Sequence, residues 1–191
     1  GDPTSPPGLR GAGRGFTEED PPNFMGSFYS RTKAWADQML SDVANLGGGI
    51  LILRIRMPFD GTDNARNLLM KIRKYPRVLD VPNSLTYLPD FAEASKALIG
   101  KRRNGIYNIV NPGPISPYRL MELYAEIVDP AHRFERLSLD ALPGVVRAGR
   151  SNCILSTAKL KGEGILLRPV EDAVREALML LARQAALLLH R

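Results

Sequence analysis

A chain of 191 residues, 44% hydrophobic and 24% charged, is long enough for one ordinary soluble domain with a sizeable core. With a single cysteine, Cys153, and two histidines, a disulfide framework and a cysteine-rich zinc site are both excluded, and no metal is expected. The formal charge of +6 favours anionic partners such as a phosphorylated small molecule, but acidic residues are interspersed with the basic ones, which is not the dense basic stripe of a nucleic-acid binder.

Residues 1–23 are rich in proline and glycine without apolar periodicity, and predict an extended loop or a mobile arm. From Ser27 to Leu46 the residues Phe28, Trp35, Met39, Val43 and Leu46 recur at helical spacing, and the glycines at 47–49 end the pattern. ILIL at 50–53 followed by RIRMP reads as a strand apolar on both faces, as in a buried parallel sheet, and Pro58 ends it. A helix is expected at 64–75, a short strand at RVLDV, a helix at 90–102 and a strand at 105–110. Ser116 and Pro117 suit the N-cap and first position of a helix running to Val128, because proline has no N–H to lose there. A weak strand at 133–137, a turn at 150–156 and a last helix from Pro169 complete the chain; Glu171 and Asp172 oppose that helix's dipole.

This alternation predicts an α/β layered fold with a mainly parallel sheet, whose ligands lie at the carboxyl ends of the strands. The apolar run near the C-terminus is interrupted by Arg183 and Gln184 and is too short to span a bilayer, so it is expected to be a packed terminal helix, with no membrane partner. The opening residues lack the apolar run of a signal peptide, which predicts a cytoplasmic protein.

The stretch YSRTK places Tyr29 and Lys33 four residues apart, on one face of a helix. A phenol is a poor acid or base at neutral pH, but a lysine ammonium nearby favours the phenolate. Such a pair can pass a proton to or from a substrate oxygen, the step that accompanies reduction of a carbonyl by hydride. Alone, the same spacing more often describes a solvated helix face, because such pairs arise frequently by accident.

The run GFTEEDPPNFMGSFYSRTKAWADQML resembles the catalytic segment of the extended short-chain dehydrogenase/reductase family, and within it the nucleotide-sugar reductases and epimerase/reductases of rhamnose synthesis. The similarity continues through LRIRMP, NARNLLMKIRKYPRVLDVPNSLTYL, GIYNIVNPGPIS and RSNCILSTAKL, from Gly15 to about Glu176. The resemblance implies the C-terminal part of a Rossmann-like doubly wound parallel sheet with a small substrate-binding subdomain. It also implies NADP or NAD as cofactor and a nucleotide-sugar substrate. Tyr29 would be the general acid, and Lys33 would assist it while holding the nicotinamide ribose. Met57 and Pro58 match the place where the family's chain passes the nicotinamide. Arg150 matches a position that grips the nucleotide diphosphate, where a planar guanidinium suits phosphate oxygens. Asn67 and Asn152 are weaker substrate candidates; Arg150 can instead cap a neighbouring helix, and both asparagines can equally serve loop backbone groups. The family also implies pairing of two copies through the Tyr29 helix.

The family's opening βαβ unit, with its glycine-rich phosphate turn, has no counterpart here: no strand precedes the glycines at 8, 11, 13 and 15. Residues 24–191 are therefore expected to form the catalytic-helix and substrate-binding part of one α/β domain whose dinucleotide-binding half precedes Gly1. Alone, such a chain would leave the 50–57 strand with an exposed edge and bind dinucleotide poorly. A non-catalytic binding or regulatory module derived from the same fold is the competing expectation.

Overall fold

The computed structural model of the chain describes residues 15–22, 26–47, 49–138, 140–141 and 153–189. It opens with helix α1, Phe28–Asn45, where the Ser27 hydroxyl caps the first turn by accepting from the Ser30 N–H at 3.1 Å. Gly47, at φ +85°, helps turn the chain out of the helix into strand β1, Leu51–Arg54. Then come β2 (Pro58–Phe59), α2 (Leu68–Ile72), β3 (Arg77–Leu79), β4 (Thr86–Tyr87), α3 (Leu88–Gly100) and β5 (Gly105–Asn108). Helix α4 (Pro117–Ile127), β6 (Glu135–Leu137), α5 (Ala158–Gly162) and α6 (Val170–Leu189) complete the order.

All three ladders are parallel, as the strand and helix alternation predicts: β1 with β5, β2 with β4, and β3 with β6. In the first, Arg54 is the register partner of Asn108, and bonds from Gly105 N to Ile50 O and from Ile109 N to Arg54 O, both 2.8 Å, extend the pairing at each end. Since residues 105 and 109 face β1, residues 106 and 108 face the far edge of β5. Side chains cover that edge: the Lys159 ammonium donates to the Ile106 carbonyl at 2.8 Å, and the Glu18 carboxylate accepts from Asn108 N at 2.9 Å. Among the described residues the opposite edge of β1 pairs with no strand, in line with the exposed edge expected of it.

The larger core lies where α2, α4 and α6 meet β2, β3 and β4 and gathers Phe59, Leu69, Val78, Tyr87, Leu120, Leu123, Val174 and Leu178. Burying each of these large side chains contributes roughly 1.5–3 kcal/mol. Helix α6 therefore packs as expected, and it passes so close to the β2 turn that a Cβ on Gly61 would stand 2.8 Å from Leu180 Cβ. A second core joins α3, α5 and β5 through Ala94, Leu98, Tyr107, Ile109 and Leu160.

Several expectations need correction. For residues 15–20 the extended-loop alternative holds rather than the mobile arm, because the loop is anchored. Phe16 bridges Leu155, with Phe16 N donating to Ile154 O and Ser156 N to Phe16 O, both 2.7 Å. Gly15, at φ +70°, lies where a Cβ would come within 3.1 Å of Ser156 N, so close packing rather than phosphate binding accounts for this glycine. The glycines at 8, 11 and 13 lie outside the described residues. Helix α2 is shorter than the expected 64–75, because the Asn67 side chain caps it and starts it at Leu68. Two-residue strands β2 and β4 and the five-residue α5 carry too little periodicity to be read from sequence.

The apolar stripe of α1 does not face the core. Phe28, Trp35, Met39 and Leu46 are 72%, 60%, 62% and 88% exposed, while the side that meets β1 is small and polar, with Ala34 buried and Asp37 ion-paired to Arg54. At about 100° per residue, Asp37 lies roughly opposite Phe28 and Leu46 around the helix.

Candidate active site

The five-residue connection between α1 and β1 returns the chain at once, so the N-terminal end of α1 lies toward the carboxyl end of β1. An ion pair fixes that arrangement. The Arg54 guanidinium, at the last residue of β1, donates to Asp37 through Nε (3.0 Å to Oδ1) and Nη2 (2.7 Å to Oδ2). Tyr29 is eight residues N-terminal to Asp37, about 12 Å further along the helix at 1.5 Å per residue, and so beyond the strand end. This is the side of an open α/β sheet on which ligands bind.

Here Tyr29 and Lys33 share a face, with the Lys33 Nζ 5.8 Å from the centre of the Tyr29 ring. The phenol is 70% exposed rather than sealed in hydrocarbon. Both groups are exposed and accessible to a ligand.

Met57 follows β1 with φ +43°, a left-handed conformation that a residue bearing a Cβ adopts only when its surroundings impose it. Its side chain packs on the edge of the larger core, whereas Pro58 is exposed. The backbone therefore makes a forced turn where the resemblance puts the cofactor's path.

Asn67 is held differently from what a substrate ligand requires. It is buried, its amide donates to Asp60 O, Asp60 Oδ1 and Thr62 O at 2.8–2.9 Å, and its Oδ1 accepts from Leu69 N at 3.2 Å. Its structural work is to cap α2 and organise the 60–67 turn. Arg150 and Asn152 lie outside the described residues.

The segment that leaves the RSN turn is nevertheless anchored. Cys153 N donates to Asn83 Oδ1 at 3.0 Å, Ser84 N donates to Cys153 O at 3.0 Å, and Leu155 N donates to Ser84 Oγ at 2.9 Å. Arg56 reaches the same Asn83 Oδ1 through Nη2 at 3.1 Å, and its backbone N–H donates to Thr86 Oγ1 at 3.0 Å. Burial pulls the Arg56 guanidinium below its ordinary pKa, which still leaves it charged. Burial likewise pushes the Cys153 thiol up, against the pull of Arg56 and Arg54, so Cys153 is a thiol rather than a nucleophilic thiolate. Sequence reasoning missed Arg54, Arg56 and Asn83. The available signal was RIR itself: two arginines at i and i+2 closing a buried strand must each find a partner.

No family profile matches the chain. A bifunctional dTDP-4-dehydrorhamnose 3,5-epimerase/dTDP-4-dehydrorhamnose reductase of Arabidopsis thaliana is 38% identical to it over 165 residues, covering 86% of this chain and 54% of the relative. The crystal structure of a UDP-rhamnose synthase from Acanthamoeba polyphaga mimivirus superimposes with a TM-score of 0.79 at 32% identity, over 87% of this chain and 57% of the other. The homologues of the chain are nucleotide-sugar reductases and epimerase/reductases of the short-chain dehydrogenase/reductase type, and the chain matches a portion of them. It spans about half the length of the Arabidopsis relative. A dTDP-4-dehydrorhamnose reductase from Bacillus anthracis, solved in complex with NADP, aligns with a TM-score of 0.68 at 20% identity, over 89% of this chain and 59% of the other, and at that distance it shows the Rossmann fold alone. No described helix of the chain is long and apolar enough to cross a membrane.

Proposed function

We propose that this chain carries the general acid and the substrate-facing part of an NAD(P)H-dependent reductase acting on a nucleotide-linked 4-keto-6-deoxy hexose. The observation that carries the reading is the exposed Tyr29–Lys33 pair standing past the carboxyl end of β1, in a chain 38% identical to a rhamnose-pathway reductase. A nicotinamide bound there would supply the hydride. Tyr29 gives its phenolic proton to the sugar oxygen as charge develops on it, and Lys33 favours the phenolate left behind. Both side chains are open to solvent and the Met57 side chain is packed against the larger core, which supports a site able to take a flat nicotinamide ring. Arg150 and Asn152, next to the anchored Cys153, are proposed to meet the nucleotide diphosphate and the sugar. Asn67 is not included, because its amide is already engaged.

The test is turnover with NADPH and the 4-keto sugar nucleotide, the chain being complemented by the dinucleotide-binding half of a relative. Tyr29→Phe is expected to lower kcat by about 100-fold or more, the usual worth of a general acid, with sugar-nucleotide affinity kept. An unchanged rate would remove Tyr29 from the chemistry.

We also propose that two copies pair through the exposed apolar face of α1. That face equally favours a second reading, in which the chain is a binding module docked on a larger enzyme. Calorimetry decides between them, because the module would take up no nucleotide sugar.

A further inference from the structure

Resting on the reductase reading, we infer that Arg54 is the positioning residue of this site: its guanidinium docks the Tyr29–Lys33 helix and the 15–20 segment together onto the carboxyl end of β1. Five donor hydrogens in a rigid fork allow one arginine to do both. Nε and Nη2 take the two oxygens of Asp37 on α1. Nη1 takes the backbone carbonyls of Glu18 and Asp20, each at 3.2 Å. The pair is largely removed from water, with side-chain exposures of 18% for Arg54 and 16% for Asp37, so solvent does not dilute it as it does a surface ion pair.

The register partner of Arg54 holds the other side of the same segment. Asn108 is fully buried and donates through Nδ2 to Phe16 O at 3.1 Å and to Ser156 O at 3.2 Å, while its backbone N–H donates to Glu18 Oε1. The segment is closed on itself as well, since Thr17 N donates to Asp20 Oδ2 at 2.7 Å. Residues 15–20 thus form a strap across the ends of two paired strands, and the chain runs from the strap into α1.

The dependence on Arg54 follows from what else holds α1. Phe28, Trp35, Met39 and Leu46 point away from the sheet, Leu40 is only partly covered at 36% exposed, and Ala34 is the one buried hydrophobic residue of the helix among those described. Little apolar area secures the helix, so a charged, bidentate contact fixes its rotation, and rotation decides where Tyr29 and Lys33 aim. A misplacement of about 1 Å in such a site can cost about 100-fold in rate.

The experiment compares wild type with Arg54→Lys and Arg54→Met by amide hydrogen exchange on this chain. Peptides covering 15–22 and 28–45 report on the strap and helix; 117–127 and 170–181, in the other core, are controls. Both variants should exchange about tenfold faster in the first two regions with the controls unchanged, and acrylamide quenching of Trp35, the one tryptophan, should shift in parallel. Lysine retains the charge but lacks the fork, so it should not rescue. In the complemented reductase assay both variants should lower kcat at least tenfold with KM for the sugar nucleotide within about threefold. Wild-type exchange in Arg54→Lys would overturn the inference, and so would a uniform rise that includes the controls. Should Arg54→Met fail to fold, Arg54→Lys carries the test. If exchange and quenching change as stated while Tyr29→Phe leaves turnover intact, the docking role stands and the reductase reading falls.

Discussion

Tyr87 illustrates how one residue can tie three elements together and what its chemistry then costs. Its ring is almost fully buried beside Phe59, with centroids 5.2 Å apart, and its hydroxyl donates to Glu176 on α6 at 3.0 Å. The Arg168 guanidinium lies over the ring and pairs with Asp90 of α3 at 3.0 Å, and Asn111 donates to the same carboxylate at 2.7 Å. Burial, reinforced by the Glu176 bond, pushes the Tyr87 phenol up to about 12. A folded-state pKa above the unfolded value of about 10 stabilises the fold below pH 10, and that contribution is lost as pH rises toward about 12. Tyr107 is also raised by burial and by its bond to Glu163, so the informative comparison is between wild type and Tyr87→Phe. The variant should lose about 1 kcal/mol at neutral pH. Its melting temperature should then fall less steeply than that of wild type between pH 10 and 12; parallel curves would show that the buried hydroxyl does not govern alkaline unfolding. At this scale the sequence discloses unevenly. Tyr29 and Lys33 were legible because helical spacing alone puts them on one face, whereas Tyr87, Arg54 and Asn83 draw their roles from partners 17 to 89 residues away in the chain, which no local pattern encodes.

Elements were most legible where a cap punctuated them. Ser27 and Ser116 start α1 and α4 as the sequence suggests, each hydroxyl accepting a backbone N–H three residues on at 3.1 Å. Asn67 caps α2 through its amide oxygen, which accepts from Leu69 N at 3.2 Å, but the sequence leaves substrate candidate and loop-backbone partner both open, since a buried amide and an exposed one look identical in a sequence. The two roles predict different outcomes for Asn67→Ala. A cap that also serves the 60–67 turn should cost roughly 1–3 kcal/mol, seen as a lower denaturant midpoint with an unchanged slope, and KM for the sugar nucleotide should not move. A raised KM with unaltered stability would return Asn67 to the substrate. The ladders were legible as parallel from the alternation of strands and helices, but β2 and β4 were not, because two residues held by tertiary pairing need no intrinsic strand pattern.

The molecule as a whole shows an imbalance that no single element explains. One core is closed around α4 and α6, while α1 presents Phe28, Trp35, Met39 and Leu46 to solvent in a continuous stripe, with Val43 42% exposed at its edge. Such side chains supply on the order of 600 Å² per copy, close to the roughly 800 Å² each partner buries in a standard interface. Exposed stripes of this size on soluble proteins mark contact surfaces. If two copies meet there, Trp35 is the reporter, because it lies in the middle of the stripe and is the one tryptophan in the sequence. Wild type should sediment as a dimer at micromolar concentration, with Trp35 emission shifting to the red on dilution as the ring becomes hydrated. Replacing Trp35 and Met39 with glutamate should leave a monomer of unchanged helix content, since both positions point away from the sheet and neither touches the Arg54–Asp37 pair that docks α1. If the wild-type chain is instead monomeric and its Trp35 emission does not depend on concentration, the dimer is ruled out. The stripe would then suit a different polypeptide, and the charged contact at Arg54 would have to hold α1 in place without help from a second copy.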